Sequence, residues 1–336
     1  MAVSEFYIEE HVIPCQHIRG FSYASKDLTA VLQLAVKQYT PKDVSTETTP
    51  AVTVIALHAN GITKIWEELA IRLDNKIKSI WIADSSHEGA SGILNEKPLG
   101  DGLNWFDHSK DLLGTMIDFR DVIQPPIIGI THSMGCAQLV KLAQIHPALF
   151  QRPKAAFMTS YRPDFWNSRE EAQTFFDKNK FYESWDRRSL NKYLQYGLHL
   201  QRYFSMLQRL LASDYDVTQA KYLFHRAEPG LVFQALPTLQ PAVYWIFAKH
   251  SYINPPKERD VKISQTGAKA RGSGGVSSAI VKGVSHLLPL GKVDETPTLL
   301  VSHIEQQMER YKKERNFWDT LDTGKSDNDK QVLSSQ

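Results

Sequence analysis

The chain has 336 residues, enough for one large α/β domain with an inserted segment or for two small domains. Hydrophobic residues at 42% and charged residues at 23% are ordinary for a globular protein, and a formal charge of +2 includes no basic block suited to nucleic acid or an anionic surface. No apolar run approaches the roughly 20 residues that a transmembrane helix needs, so neither nucleic acid nor a membrane is expected as a partner. The start, "MAVSEFYIEE", carries acids where a secretory leader has a basic and then an apolar region. The two cysteines, Cys15 and Cys136, are too few for a disulfide framework. The last residues, "VLSSQ", are not a peroxisomal address of the S-K-L type. The expected location is cytoplasmic.

In chain order, "FYIEEHVIP" and "LTAVLQLAVKQY" read as strands joined by turns, followed by a polar loop, "TPKDVSTETTP", with a proline at each end. "AVTVIALHANG" is a short apolar run rich in β-branched residues that leaves through a glycine turn, as a buried parallel strand does, and "KSIWIADSS" repeats the pattern. Residues 107–120 have helical spacing, with Leu112, Leu113, Met116, Ile117 and Phe119 on or near one face. "PPIIGITHS" reads as a strand, "MGCAQLVKLAQIH" as a helix closed by Pro147, and "KAAFMTSY" as a strand. Strands alternating with helices predict a mostly parallel sheet. The alternation stops near residue 164 and resumes with "AVYWIFAKH", "SSAIVKGVSH" and a helix near 294–314. The expected division is therefore a core in two parts, 1–163 and 238–316, a helical, aromatic-rich cap over 164–237, and a polar, disordered tail over 317–336.

Candidate chemistry begins with "GITHSMGC", residues 129–136. Ser133 stands two residues before Gly135, between a strand and a helix, as in the G-x-S-x-G turn that exposes a nucleophilic serine. Thr131 replaces the first glycine. A serine that merely caps a helix is the plain alternative. "LHANG", residues 57–61, ends the third strand, where the Asn60 amide paired with that of Met134 would form an oxyanion hole; an N-G turn without a catalytic role is the alternative. His286 in "GVSHLLPL" follows the last strand and precedes the last helix, which makes it the candidate base among twelve histidines. An acid is expected after "TSYRP" or after "YWIFAKHS". The second turn offers Lys249, His250 and Ser251 and no carboxylate, so Asp164 is the candidate, with a helix-capping aspartate as the alternative. His58, Ala59, His132 and Arg162 complete the expected substrate-binding surroundings. Neither a metal nor a cofactor is expected.

These residues, with "EEHVIPCQHIRG", "LAVKQYTP", "WEEL", "WIADSSHEGASGILNE", "NWFDHSKDLL", "GSGGV" and "SHLLPL", resemble a family of fungal α/β-hydrolases that includes the AK-toxin biosynthetic hydrolase and peroxisomal lipase-like proteins. The resemblance covers nearly all of the chain outside the cap and tail. It implies an α/β-hydrolase fold with a helical lid, a nucleophile at Ser133, a base at His286, and esters or thioesters of hydrophobic natural products as substrates. The family usually has Asp-Pro after the sixth strand, where this chain has Arg162-Pro163. A guanidinium near His286 would disfavour the imidazolium that forms as Ser133 loses its proton.

Three functions are compatible with this sequence. The first is an ester or thioester hydrolase of fungal secondary metabolism acting on a small hydrophobic, polyketide-like molecule. The second is a cyclase or lyase using the same pocket, with His286 as acid and base. The third is a catalytically silent binding protein. A homodimer is compatible with the sequence.

Overall fold

A computed structural model of the chain describes residues 6–42, 51–57, 63–73, 76–146, 155–156, 173–174, 177–178, 185–196, 227–251, 254–270, 274–284, 286 and 288–320. Its centre is a sheet whose inner strands are apolar on both faces. All side chains of β3 (Val52–Leu57), β5 (Ile127–Thr131) and β7 (Val243–Ala248) are buried. Such continuous runs suit strands with helices on both sides. The margins differ: β1 (Phe6–Pro14) and β8 (Val276–Val281) are mostly exposed.

β2 (Gln33–Pro41) pairs antiparallel with β1 and with β4 (Ile77–Ala83), while β4–β3 and β3–β5 are parallel. The order in this sheet is β1-β2-β4-β3-β5. A second set, β6 (Ala155–Ala156), β7 and β8, is parallel throughout, and β6 lies against β5. The expected mostly parallel sheet is therefore present. The second strand starts later than its apolar run suggests, at Gln33. Upstream of it, Asp27 Oδ1 accepts from the Thr29 amide at 2.8 Å and hydroxyl at 2.9 Å, a local turn that competes with strand pairing.

The crossovers are helical. α1 (Thr63–Leu73) buries Ile65, Trp66, Leu69 and Leu73. α2 (Gly89–Leu94) is short and is tied to β2 through Ser91 and Asn95. α3 (Trp105–Asp118) is capped by Asn104, whose Oδ1 accepts from the Phe106 amide at 2.8 Å. α4 (Met134–Ile145) is buried over most of its length, and its Gln138 carbonyl accepts from Ser109 of α3 at 2.8 Å.

Of the segment expected to form the cap, α5 (Arg187–Tyr196) and α6 (Glu228–Ala235) are described, and both are helical. The remainder of 164–237 lies largely outside the described residues. α7 (Pro256–Gln265), α8 (Leu288–Gly291) and α9 (Glu295–Thr320) complete the chain. The last helix continues to Thr320, past the boundary drawn at residue 317, and residues 321–336 lie outside the described residues. Cys15 and Cys136 are both buried, and neither is in a disulfide. Burial, then the charge of Asp111, pushes the Cys15 thiol up to about 12. No helix among the described residues is long and apolar enough to cross a membrane.

Candidate active site

β5 ends at Thr131 and α4 starts at Met134, so His132 and Ser133 make the whole turn between them. A reversal that tight forces one residue out of the ordinary backbone regions. Ser133 takes that conformation, with φ 63° and ψ −129°, and no other non-glycine residue among those described has a positive φ. Such a backbone costs roughly 1–3 kcal/mol and persists only where the surrounding structure imposes it. The capping alternative fails here, because the Ser133 side chain makes no cap hydrogen bond.

The neighbours show how the turn is imposed. The His132 amide donates to the Leu57 carbonyl at 3.2 Å, the Gly135 amide to the His132 carbonyl at 3.2 Å, and the Cys136 amide to the Ser133 carbonyl at 2.8 Å. A Cβ at Gly135 would land on the Thr131 hydroxyl and lie 3.1 Å from Leu57 Cβ. Glycine is therefore required where α4 meets β3 and β5. Thr131, which departs from the family's glycine, fills the space that Gly135 leaves open. The Met134 amide, at the first helical position, belongs to the turn whose donors have no acceptor within the helix.

His286 approaches from the other half of the chain. Its backbone carbonyl lies 3.3 Å from His132 Nε2, and the two imidazoles are 5.5 Å apart between centroids. The ring beside Ser133 in the chain thus abuts His286 in space. Both histidines are buried. On the other side of the His286 ring, Nδ1 faces the Ser251 hydroxyl at 3.4 Å. Burial, followed by the positive charges of His132 and Lys262, pushes the His286 pKa down to about 2, so its resting state is the neutral imidazole.

The turn after β7 that carries Ser251 is held from α7. Arg259 Nη2 donates to the Lys249 carbonyl at 2.8 Å and Arg259 Nε to the Asn254 carbonyl at 2.5 Å. Lys262 Nζ donates to Asn254 Oδ1 and lies 3.8 Å from Glu258. The Ser251 amide reaches back to the Ala248 carbonyl at 3.3 Å. Burial holds the Lys262 ammonium below its ordinary pKa. Above the nucleophile turn, Val232 of α6 packs with Met134, Ala137 and Trp105.

The structure therefore brings His132 against His286, with Ser133 and Met134 directly following His132 in the chain. His58, Ala59, Asn60, Arg162 and Asp164 lie outside the described residues. Ser251 is not among the residues that the sequence pattern singles out; its place in the turn after β7 is the available signal. Lys262 and Arg259 carried no signal in the sequence. Among the described residues, no group of three His, Cys, Asp or Glu side chains is placed to hold a metal ion.

No family model matches the chain. It is similar to the type I acyl-CoA thioesterase mpaH of Penicillium brevicompactum, at 28% identity over 97% of this chain and 94% of that protein. The mpaH thioesterase of Penicillium roqueforti is 27% identical over the same shares. Among solved structures, the peroxisomal alpha-beta-hydrolase Lpx1 of Saccharomyces cerevisiae matches with a TM-score of 0.72 at 16% identity, covering 99% of this chain and 96% of that one. E-2-(acetamidomethylene)succinate hydrolase matches with a TM-score of 0.56 at 13% identity, over 81% and 95% of the two chains. The chain has the α/β-hydrolase fold, and the resemblance read from its sequence to fungal α/β-hydrolases fits both kinds of relative.

Proposed function

We propose that this α/β-hydrolase-fold chain is an ester or thioester hydrolase in which Ser133 attacks the acyl carbonyl and His286 takes its proton. The supporting observation is the Ser133 backbone, held at φ 63°, with its chain neighbour His132 lying against a histidine contributed by the second half of the sheet. In this reading Ser133 Oγ forms a bond to the acyl carbon while its proton moves to His286 Nε2. The Met134 amide, with that of Asn60, receives the charge developing on the carbonyl oxygen. Collapse of the tetrahedral intermediate expels the thiol or alcohol. Water then attacks the acyl-enzyme, with His286 again as base, and frees the acid and Ser133.

The electrostatics favour thioesters. An imidazole set well below its usual pKa is poorly stabilised as a cation, so little of it carries a proton into collapse of the intermediate. A thiolate, the conjugate base of a thiol of pKa about 8.5, leaves without that help. An alkoxide, closer to hydroxide from water at about 15.7, does not. The curated relatives are named as acyl-CoA thioesterases, and the likeness runs along nearly the whole of both chains. A small hydrophobic acyl group is the proposed cargo, because α6 lays apolar Val232 on the first turn of α4, and residues 164–237 are proposed to roof the pocket.

A fluorophosphonate probe should label Ser133, and Ser133→Ala should lose both labelling and turnover. Acyl-CoA thioesters should be hydrolysed faster than alkyl esters of the same acyl chain. Labelling at another residue, with full activity in the alanine variant, would remove this reading. The Ser251 hydroxyl that meets His286 Nδ1 is also compatible with a second reading, a cyclase or lyase with His286 as acid and base. Acid-forming turnover of a plain acyl-CoA decides against it.

A further inference from the structure

We propose that Ser251 is a positioning residue for His286: its hydroxyl accepts the Nδ1–H, which holds the ring in the tautomer whose unprotonated Nε2 can take the Ser133 proton. This rests on the reading of His286 as the base and adds a role that the comparisons do not give.

The geometry carries the inference in three parts. Ser251 Oγ lies 3.4 Å from Nδ1, long for a hydrogen bond and a few tenths of an ångström from a full one. Catalytic hydrogen bonds are commonly long without substrate and tighten in the complex. Both side chains are buried, at 6% and 4% exposure, so water competes little for the contact. The turn that presents Ser251 is fastened at Lys249 and Asn254 by Arg259, itself 5% exposed, and again at Asn254 by Lys262. A serine placed by chance on a surface turn would have no such frame.

The chemistry explains what a hydroxyl can supply there. A carboxylate at Nδ1 both fixes the tautomer and stabilises the imidazolium. A hydroxyl does the first and little of the second. Among the described residues, the other charged and titratable groups at the ring are His132 from the β5–α4 turn and Lys262 from α7, with Glu258 on Lys262, and both ring neighbours oppose a positive imidazole. Ser251 thus orients a base that stays weakly basic, which matches a substrate whose leaving group needs no proton.

The test uses the full chain, p-nitrophenyl butyrate and decanoyl-CoA as substrates, a fluorophosphonate probe, and 15N NMR of the His286 ring. Ser251→Ala should lower kcat by about tenfold to a hundredfold, below the ~10⁴ carried by a triad carboxylate, with KM nearly unchanged. Labelling of Ser133 should slow by the same factor. Ser251→Thr, which keeps a hydroxyl, should recover most of the rate. The wild-type ring should be protonated at Nδ1, and that preference should weaken in Ser251→Ala. Ser251→Asp should move the acid limb of the kcat profile to higher pH. Unchanged kcat and labelling in Ser251→Ala would overturn the proposal, as would an Nε2-protonated ring in the wild type or loss of turnover in Asp164→Asn alone. If Ser133 is not labelled even in the wild type, the hydrolase reading fails, and the ring tautomer still decides whether Ser251 orients His286.

Discussion

Gly135 lacks a side chain because its neighbours leave no room for one. Thr131 Oγ1 and Leu57 occupy the volume that a Cβ would need, and the Leu57 carbonyl, 3.2 Å away, is backbone of a buried strand that cannot easily retreat. Gly135→Ala should therefore destabilise the protein by about 1–3 kcal/mol, the usual cost of overpacking, and slow turnover by displacing Ser133. Thr131→Gly in the same chain should recover part of the loss, because the Leu57 contact remains. Urea unfolding of the single and double variants measures both; strict additivity would mean that the two side chains do not meet. The sequence made Ser133 legible through its spacing between an apolar strand and a helix. It made Thr131 look like a defect, because a one-dimensional pattern does not show two residues sharing one volume. Ser251 was harder to single out for a different reason. A hydroxyl is unremarkable in a turn until a ring nitrogen is known to face it.

Elements that are apolar throughout, such as β3 and β7, stood out along the chain because both of their faces are covered. Boundaries set by side chains were harder to read, as at Asp27 before β2. The sequence blocks that carry the family resemblance turn out to be staples between elements. Arg19, from "EEHVIPCQHIRG", donates to both carboxylate oxygens of Asp111 in "NWFDHSKDLL", at 2.8 and 3.0 Å. The Gln16 amide takes Asp111 Oδ1 at 2.8 Å and the Gly20 amide takes Asp107 Oδ1 at 2.7 Å. Asn95, from "WIADSSHEGASGILNE", pairs with both backbone groups of Gln33 at 2.7 Å. Burial pushes the Asp111 carboxyl up against the pull of Arg19, which marks a pair held by geometry at some electrostatic cost. Asp111→Ala should cost about 3–5 kcal/mol, since it takes the bonded carboxylate from a buried guanidinium and leaves it the 4.0 Å contact to Asp107. Arg19→Met with Asp111→Leu should cost less than the single change. A single variant as stable as the wild type in denaturant would show that the segment before β2 is docked by other contacts.

For the molecule as a whole, the buried neutral imidazole of His286 sets a pH dependence. Its pKa is near 6.5 in the unfolded chain and about 2 in the folded one. Above 6.5 neither state is protonated and the residue contributes no slope. Below it, the unfolded chain binds a proton that the folded protein refuses, so stability falls with pH at up to about 1.4 kcal/mol per unit. His286→Asn should flatten the fall in Tm between about pH 7.5 and about pH 5, whatever its effect on Tm at neutrality. Equal slopes for variant and wild type would show that the ring titrates normally. The halt in strand and helix alternation near residue 164 is legible in the sequence, while most of 164–237 lies outside the described residues.

The contact between His132 and the His286 carbonyl joins residues 154 positions apart, across the inserted segment. Contacts so distant are closed late, after the loop entropy between them has been met. During synthesis the strands β1 to β5 emerge well before β7 and β8, and Ser133 is in place on its turn before the half-sheet bearing His286 and Ser251 exists. On the proposed assignment, a nascent or half-assembled chain would hold the serine without its histidine, and chemistry would be switched on only by completion of the sheet.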